Sequence, residues 1–127
     1  INMAEAEIEN AFDFETFNHF FTRKLKKDVR PISSENNVII SPADGVVSQV
    51  GIIKNGEVFQ AKGKGFNLYD FLGRNKNISD NFLNGSFSTI YLSPKDYHRI
   101  HMPFAGTLRS MDYIPGNLFS VNPVRTA

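Results

Sequence analysis

Between Asp13 and Leu25, apolar residues recur at three- and four-residue steps, which is the spacing of one helical face. Asp13 could cap the N-terminus of such a helix, and the basic residues that follow suit its negative C-terminal end. Proline excludes the residue before it from the helical region, so the helix must stop at Arg30-Pro31. The pattern predicts an amphipathic helix whose apolar face is Phe14, Phe17, Phe20, Phe21 and Leu25.

The pattern changes after a polar turn at residues 33–37 to short β-branched or aromatic runs separated by turn residues. These runs predict antiparallel strands within residues 38–60. The Asn55-Gly56 pair predicts a hairpin, because both residues tolerate the positive φ that a type I′ turn needs.

Further along, residues 67–72 predict a short helix that ends at Gly73. Residues 86–92 and 105–114 have strand character, and Pro115-Gly116-Asn117 is typical of a turn. The predicted fold class is α+β: a short amphipathic N-terminal helix, then a β-rich, mainly antiparallel body with one short helix. We expect a single domain over residues 1–127, with a helical lead-in at 1–32 and the β-rich body at 33–127.

Charge and composition narrow the classes of function. The net charge of +1 gives no global field for nucleic acid, and no apolar run approaches the length of a membrane span. The absence of cysteine excludes disulfides and thiolate chemistry. Residues 1–22 contain five acids and no Lys or Arg, whereas residues 23–30 contain five basic residues and one acid. Residues 23–30 are therefore a local concentration of positive charge in a nearly neutral chain.

Three short segments could carry chemistry. The first is Ser41-Pro-Ala-Asp44-Gly45, which is either an ordinary turn or a loop in which Asp44 orients a histidine. The second contains His98 and His101, which would share a face in a helical turn and point to opposite faces in an extended one. A metal is not expected there, because the segment offers no cluster of further ligands.

The third segment, Lys-Gly-Lys-Gly at residues 62–65, precedes a predicted helix. Backbone N–H groups and lysine charge could bind a phosphate there, and a plain turn is the alternative. The candidate binding residues are Lys62, Lys64 and Phe66.

Taken in this order, the segments resemble the pyruvoyl-dependent phosphatidylserine decarboxylase family. The resemblance covers nearly the whole chain, and its most specific block is YLSPKDYHRIHMP at residues 91–103. The other matching segments are FNHFFTRKL at 17–25, VRPI at 29–32, SPADG at 41–45, KGKGFNLYDFL at 62–72 and YIPGNLFSVN at 113–122.

The resemblance implies a proenzyme that cuts itself at a Gly-Ser bond, leaving a β chain and an α chain that begins with a pyruvoyl group. By this resemblance, Asp44 and His101 would form a serine-protease-like triad with the cleavage-site serine, and His98 would serve decarboxylation. The implied reaction converts phosphatidylserine to phosphatidylethanolamine through a pyruvoyl Schiff base.

The family's Leu-Gly-Ser-Thr-like cleavage motif does not occur in these 127 residues. Gly85-Ser86 is followed by Phe87 and precedes the histidines, so we interpret it as the start of a strand. We therefore expect this chain to be an N-terminal, β-chain portion that is inactive by itself and needs the α chain. The alternatives are a pyruvoyl decarboxylase for another serine lipid or amino acid, and a non-catalytic lipid-binding domain.

The resemblance also implies work at a membrane surface, on the cytoplasmic face of a bacterial inner membrane. Arg23, Lys24, Lys26 and Lys27 could contact anionic lipid while phenylalanines enter the interface. The alternative is that the phenylalanines pack on the domain and the charges complement the helix end. A second copy of the chain is a possible further partner, in a homodimer, and nucleic acid is not expected.

Overall fold

In the computed structural model, residues 1–60 and 64–117 are described. They fall into two compact units: Ile1–Val46 with Leu92–Arg109, and Val47–Tyr91 with the residues from Ser110 onward. The first unit therefore joins the predicted helical lead-in to the segment that contains His98 and His101. Mixed helices and strands confirm the α+β class. None of the helices in the described ranges has the length and apolar character needed to cross a membrane.

The N-terminal helix, α1, spans only Phe17–Phe21. The Thr16 hydroxyl caps it by accepting a hydrogen bond from the His19 amide at 3.0 Å, whereas Asp13 ends a separate 3-10 helix at Ala11–Asp13. The prediction of Asp13 as the cap was therefore wrong. Another 3-10 helix lies at Met3–Glu5.

A tertiary contact explains why α1 ends early. Leu25 forms an antiparallel bridge with Ala6, which is fully buried. The Lys26 amide donates to the Glu5 carbonyl at 2.8 Å, and the Glu7 amide donates to the Lys24 carbonyl at 3.1 Å. Residues 24–26 must be extended to make these bonds, so the helical periodicity through Leu25 is overridden.

The strands predicted at 38–40 and 105–114 do not form. The Ile40 amide makes one bond to the Pro103 carbonyl at 3.0 Å, but no ladder follows. Leu108 and Tyr113 are more than four-fifths exposed. A strand needs a neighbour for its backbone groups, and neither segment pairs with one within the described ranges. Residues 115–117, predicted as a turn, are irregular.

The second unit contains two pairs of strands. Strand β1 (Val46–Ile52, with its first residue in the first unit) pairs with β4 (Ser86–Tyr91), and β2 (Glu57–Gln60) pairs antiparallel with β3 (Lys64–Asn67). Strand β4 begins at Ser86, as predicted. The Asn55-Gly56 turn is confirmed, with φ of 53° and 71°. The strands beside this turn pair elsewhere, apart from one bridge between Lys54 and Glu57.

The short helix predicted from residues 67–73 is present in this unit. Helix α2 (Leu68–Phe71) begins after Asn67, whose side chain accepts from the Tyr69 and Asp70 amides. Gly73 follows its end with φ of 68°. Helix α3 (Lys76–Ser79) and a 3-10 helix at Asp80–Phe82 follow, and neither was predicted.

The interior of the second unit is apolar. Ile53 and Leu68 are almost fully buried. They line a cavity of about 230 Å³ with aromatic and aliphatic side chains that include Val58, Phe66, Phe82 and Phe87.

Candidate functional site

A tight turn precedes the two histidines. The Ser93 carbonyl accepts a hydrogen bond from the Asp96 amide at 2.9 Å, and the Asp96 carboxylate accepts one from the Ser93 amide at 2.7 Å. Pro94 suits the second position of such a turn because its φ is fixed. Residues 93–96 thus form a turn closed by two hydrogen bonds, and this turn sets the direction of the chain that carries His98 and His101.

His98 lies between this turn and α1. Its Nε2 is 3.0 Å from the Ser93 carbonyl oxygen, and its ring stacks on that of Phe21 with centroids 4.0 Å apart and planes 26° apart. The side chain is half-buried. One ring nitrogen and one ring face are therefore already engaged by the protein.

His101 has different neighbours. Its Nε2 is 3.1 Å from the hydroxyl of Tyr97, a residue that is only 6% exposed, and the two rings are tilted with centroids 5.5 Å apart. The backbone from 97 to 101 is neither helix nor strand. Since each imidazole bonds to a different group, the two histidines do not act as one pair here.

Asp44 forms an ion pair with Arg30. The Arg30 Nε lies 3.0 Å from both carboxylate oxygens, and Nη2 lies 2.6 Å from Oδ2. Arg30 also contacts Glu5 at 3.1 Å. The hydrogen bonds that Arg30 donates to Asp44, more than the one it donates to Glu5, raise the pKa of Arg30 further above its already high ordinary value. The guanidinium therefore stays charged and holds the Asp44 carboxylate.

The backbone brings the Asp44 loop beside His101. The His101 amide donates to the Pro42 carbonyl at 2.8 Å, so Ser41–Gly45 and the histidine segment belong to the same unit. In the described ranges, however, no hydrogen bond joins the Asp44 carboxylate to the imidazole of His101. All three candidate catalytic residues lie in one unit, but Asp44 and His101, the two that would belong to the triad, are hydrogen-bonded to Arg30 and Tyr97 and not to each other.

Two arginines attach the end of α1 to the histidine segment. The Arg99 Nε donates to the Thr22 carbonyl at 2.8 Å. The Arg23 Nη2 donates to the carbonyls of Lys95 and Asp96 at 3.3 Å, and Arg23 is only 4% exposed. These contacts span more than 70 residues of sequence, so periodicity and spacing could not reveal them. The charge pattern alone predicts Arg23 as part of a basic surface, whereas the structure buries it.

The basic segment is not uniform. Arg23 points inward, while Lys24, Lys26 and Lys27 are exposed. Lys26 pairs with Glu9, and this hydrogen bond lowers the pKa of the Glu9 carboxyl. Of the four candidates for membrane contact, the three lysines lie at the surface of the first unit.

The candidate phosphate-binding residues belong to the second unit or fall outside the described ranges. Lys62 lies outside them. Lys64 begins β3, and the half-exposed Phe66 lines the apolar cavity. Within residues 1–60 and 64–117, no group of three or more His, Asp or Glu side chains could hold a metal.

Sequence comparisons define the class to which this fold and these residues belong. The sequence model of the phosphatidylserine decarboxylase family matches residues 17–127. This match includes α1, the Asp44 loop and the histidine segment, and the chain therefore belongs to the phosphatidylserine decarboxylase family.

Individual relatives agree with the family match. The chain is 59% identical over 123 residues to the phosphatidylserine decarboxylase proenzyme of Alcanivorax borkumensis, covering 96% of this chain and 42% of that protein. It is 56% identical over 126 residues to the proenzyme of Saccharophagus degradans, covering 99% of this chain and 44% of that protein. The proenzyme of Bordetella petrii is 51% identical over 124 residues, which cover 98% of this chain and 43% of that protein. The chain thus spans less than half the length of these curated relatives.

Proposed function

We propose that the protein decarboxylates phosphatidylserine to phosphatidylethanolamine and that this chain contributes the aspartate and histidine part of a self-generated pyruvoyl site. The proposal is supported by the family match over residues 17–127 and by the relatives' description as decarboxylase proenzymes. The observation that carries it is the 2.8 Å hydrogen bond from the His101 amide to the Pro42 carbonyl, which joins the Asp44 loop to the histidine segment.

The residues present fit a pyruvoyl group. Such a group supplies an electron-withdrawing carbonyl that accepts the electrons left behind when CO₂ departs. A neighbouring side chain must then return a proton. His98 suits this task because Nε2 is bonded to the Ser93 carbonyl while Nδ1 has no hydrogen-bond partner among the described residues, so the imidazolium form can give the proton on Nδ1 to the carbon and return to the neutral ring. The serine that would become pyruvoyl is to be supplied by the α chain, and we propose that this chain alone is inactive.

His101 is proposed as the base for self-cleavage. A neutral imidazole can take the proton of a serine hydroxyl, and a carboxylate bonded to the ring stabilises the imidazolium that results. Because Asp44 is bonded to Arg30 and His101 to Tyr97, this role requires the Asp44 carboxylate and the His101 ring to come into contact when the serine is in place. The hydrogen bond that the His101 amide donates to the Pro42 carbonyl keeps the two loops adjacent for that contact.

The histidine assignments are tested in the full-length protein. We expect His101→Ala to block self-cleavage and leave one unprocessed band on a denaturing gel. His98→Ala should be processed but release little CO₂ from phosphatidylserine. His19→Ala is the matched control, because His19 is exposed on α1 and should retain both steps. Normal processing of His101→Ala would remove His101 from the triad, and full turnover by His98→Ala would reassign the proton donor.

Decarboxylation of another serine lipid or of a free amino acid is the second candidate within this chemistry. Supplying the processed wild-type protein with phosphatidylserine, a different serine lipid and free serine would separate the candidates by the rate of CO₂ release. Processing with binding to lipid but no CO₂ release from any of them would instead favour a non-catalytic lipid-binding domain.

Membrane contact is proposed for Lys24 and Lys27. Both are exposed and follow α1 in sequence, and Phe12 and Phe17 of the same unit are 95% and 75% exposed, so this unit carries both exposed positive charge and exposed apolar side chains. Changing Lys24 and Lys27 to Gln should weaken binding to anionic liposomes at low salt. Changing the exposed Lys54 and Lys76 to Gln is the matched control. Equal binding by the two double variants would contradict membrane contact and favour the alternative that Lys24 and Lys27 complement the end of the helix.

A further inference from the structure

Phe21 and His98 form the closest aromatic pair in the described part of the chain. Their ring centroids are 4.0 Å apart with planes at 26°. Phe21 also stacks on Phe17, with centroids 5.7 Å apart and planes at 28°. A stacked ring restricts rotation of its partner about the Cβ–Cγ bond, because turning the imidazole would drive its edge into the phenyl face.

The hydrogen bond to Ser93 decides which nitrogen of His98 is free. A carbonyl oxygen can only accept, so the Nε2 that lies 3.0 Å away must carry a hydrogen. In the neutral ring, Nδ1 then holds the lone pair. The Ser93 carbonyl is fixed in turn by its second hydrogen bond, from the Asp96 amide.

The end of α1 is attached to the same segment. The Thr22 carbonyl, one residue after Phe21, accepts from the Arg99 side chain, one residue after His98. The bond between Arg99 and Thr22 thus holds the residues that follow His98 and Phe21 together, which keeps the two rings stacked. No comparable contact fixes His101 to α1 within the described ranges.

We propose that Phe21 is a positioning residue for His98: the stack and the Ser93 carbonyl together hold the imidazole with Nε2 protonated and Nδ1 as the nitrogen that exchanges a proton with the reacting carbon. This assignment rests on the proposed function for the role of the proton, but the position and tautomer of the ring stand apart from it. Loss of the stack lets the ring rotate away from Ser93, which lowers the fraction of molecules with Nδ1 correctly placed.

The test compares Phe21→Leu, Phe21→Tyr and Phe14→Leu in the full-length protein. Phe14→Leu is the matched control, because Phe14 contacts His19 edge-on with centroids 5.1 Å apart and does not stack on His98. We expect all three to be processed. Phe21→Leu should lower kcat for CO₂ release about tenfold with little change in KM, as loss of a stacked aromatic pair would produce. Phe21→Tyr should retain most of the rate.

Nitrogen-15 NMR at alkaline pH reads the tautomer directly. Wild-type His98 should carry its hydrogen on Nε2, and Phe21→Leu should show a mixture with Nδ1 protonated. A wild-type ring protonated on Nδ1, or equal loss of kcat in Phe21→Leu and Phe14→Leu, would overturn the proposal. If the wild-type protein releases no CO₂, the proposed function fails, and the NMR comparison alone decides whether Phe21 positions His98. If Phe21→Leu does not fold, Phe21→Met, which also removes the ring, replaces it in both measurements, and a tautomer unchanged from wild type in that variant would contradict the proposal.

Discussion

The second unit packs apolar side chains around Ile53 and Leu68, whereas in the first unit arginines donate hydrogen bonds to distant main-chain carbonyls in addition to aromatic packing. Apolar burial stabilises in proportion to the area removed from water and tolerates small shifts. Hydrogen bonds depend on direction and distance, and each contributes less. The candidate catalytic residues Asp44, His98 and His101 all lie in the first unit, where hydrogen bonds and ring stacking set the orientation of the side chains.

The largest effect is expected from a cavity in the second unit. Leu68→Ala removes a side chain that is 4% exposed and should lower the free energy of unfolding by about 3 kcal/mol. Leu108→Ala, at 81% exposure in the first unit, should change it by less than about 0.5 kcal/mol. Urea unfolding measures both. Equal losses would contradict the difference in packing between the units.

A backbone change in the second unit comes next. Gly73 has φ of 68°, and a Cβ there would lie 2.8 Å from the Ile114 Cδ1 atom. Gly73→Ala should therefore cost about 2 kcal/mol in urea unfolding. Gly116→Ala is the control, since nothing lies within 4 Å of its added Cβ. A stable Gly73→Ala protein would show that the end of α2 can adopt another conformation.

A smaller effect should follow from the loss of an arginine contact in the first unit. Arg99→Met removes the 2.8 Å bond to the Thr22 carbonyl and should cost about 1.5 kcal/mol. Amide hydrogen exchange in α1 should rise as the helix loses its attachment. Arg109→Met, which changes an exposed arginine of the same unit, should leave exchange unaltered. Unchanged exchange in both variants would mean that α1 is held by other contacts.

The smallest effect concerns Glu9, whose pKa is lowered by its hydrogen bond and ion pair with Lys26. A carboxyl with a depressed pKa in the folded protein stabilises it above the unfolded value, 4.5, and loses this contribution as pH falls through the folded value. Both groups are exposed, so the effect should be slight. Glu9→Gln should flatten the acid side of the stability profile, with Glu15→Gln as the exposed control. Identical profiles for wild type and Glu9→Gln would show that the pair contributes nothing measurable.

Local chemistry made much of the second unit predictable. Asn55-Gly56 supplies the positive φ of a turn, Asn67 caps α2, and Gly73 follows its end. Each of these features depends on residues within a few positions of one another. The short helix and the start of β4 could therefore be predicted. The pairing of β1 with β4 and of β2 with β3 could not, because the Asn55-Gly56 turn equally suits direct pairing of β1 with β2.

In the first unit the sequence determined the family and the candidate residues Asp44, His98 and His101, since the motifs that carry them are contiguous. Only the tertiary structure decided where their side chains are directed. The helical periodicity through Leu25 yields to the bridge with Ala6, and the partners of Asp44 and His98 are Arg30 and Phe21, 14 and 77 residues away in sequence. Contacts over such separations leave no periodic signal, because their geometry exists only after the chain has folded.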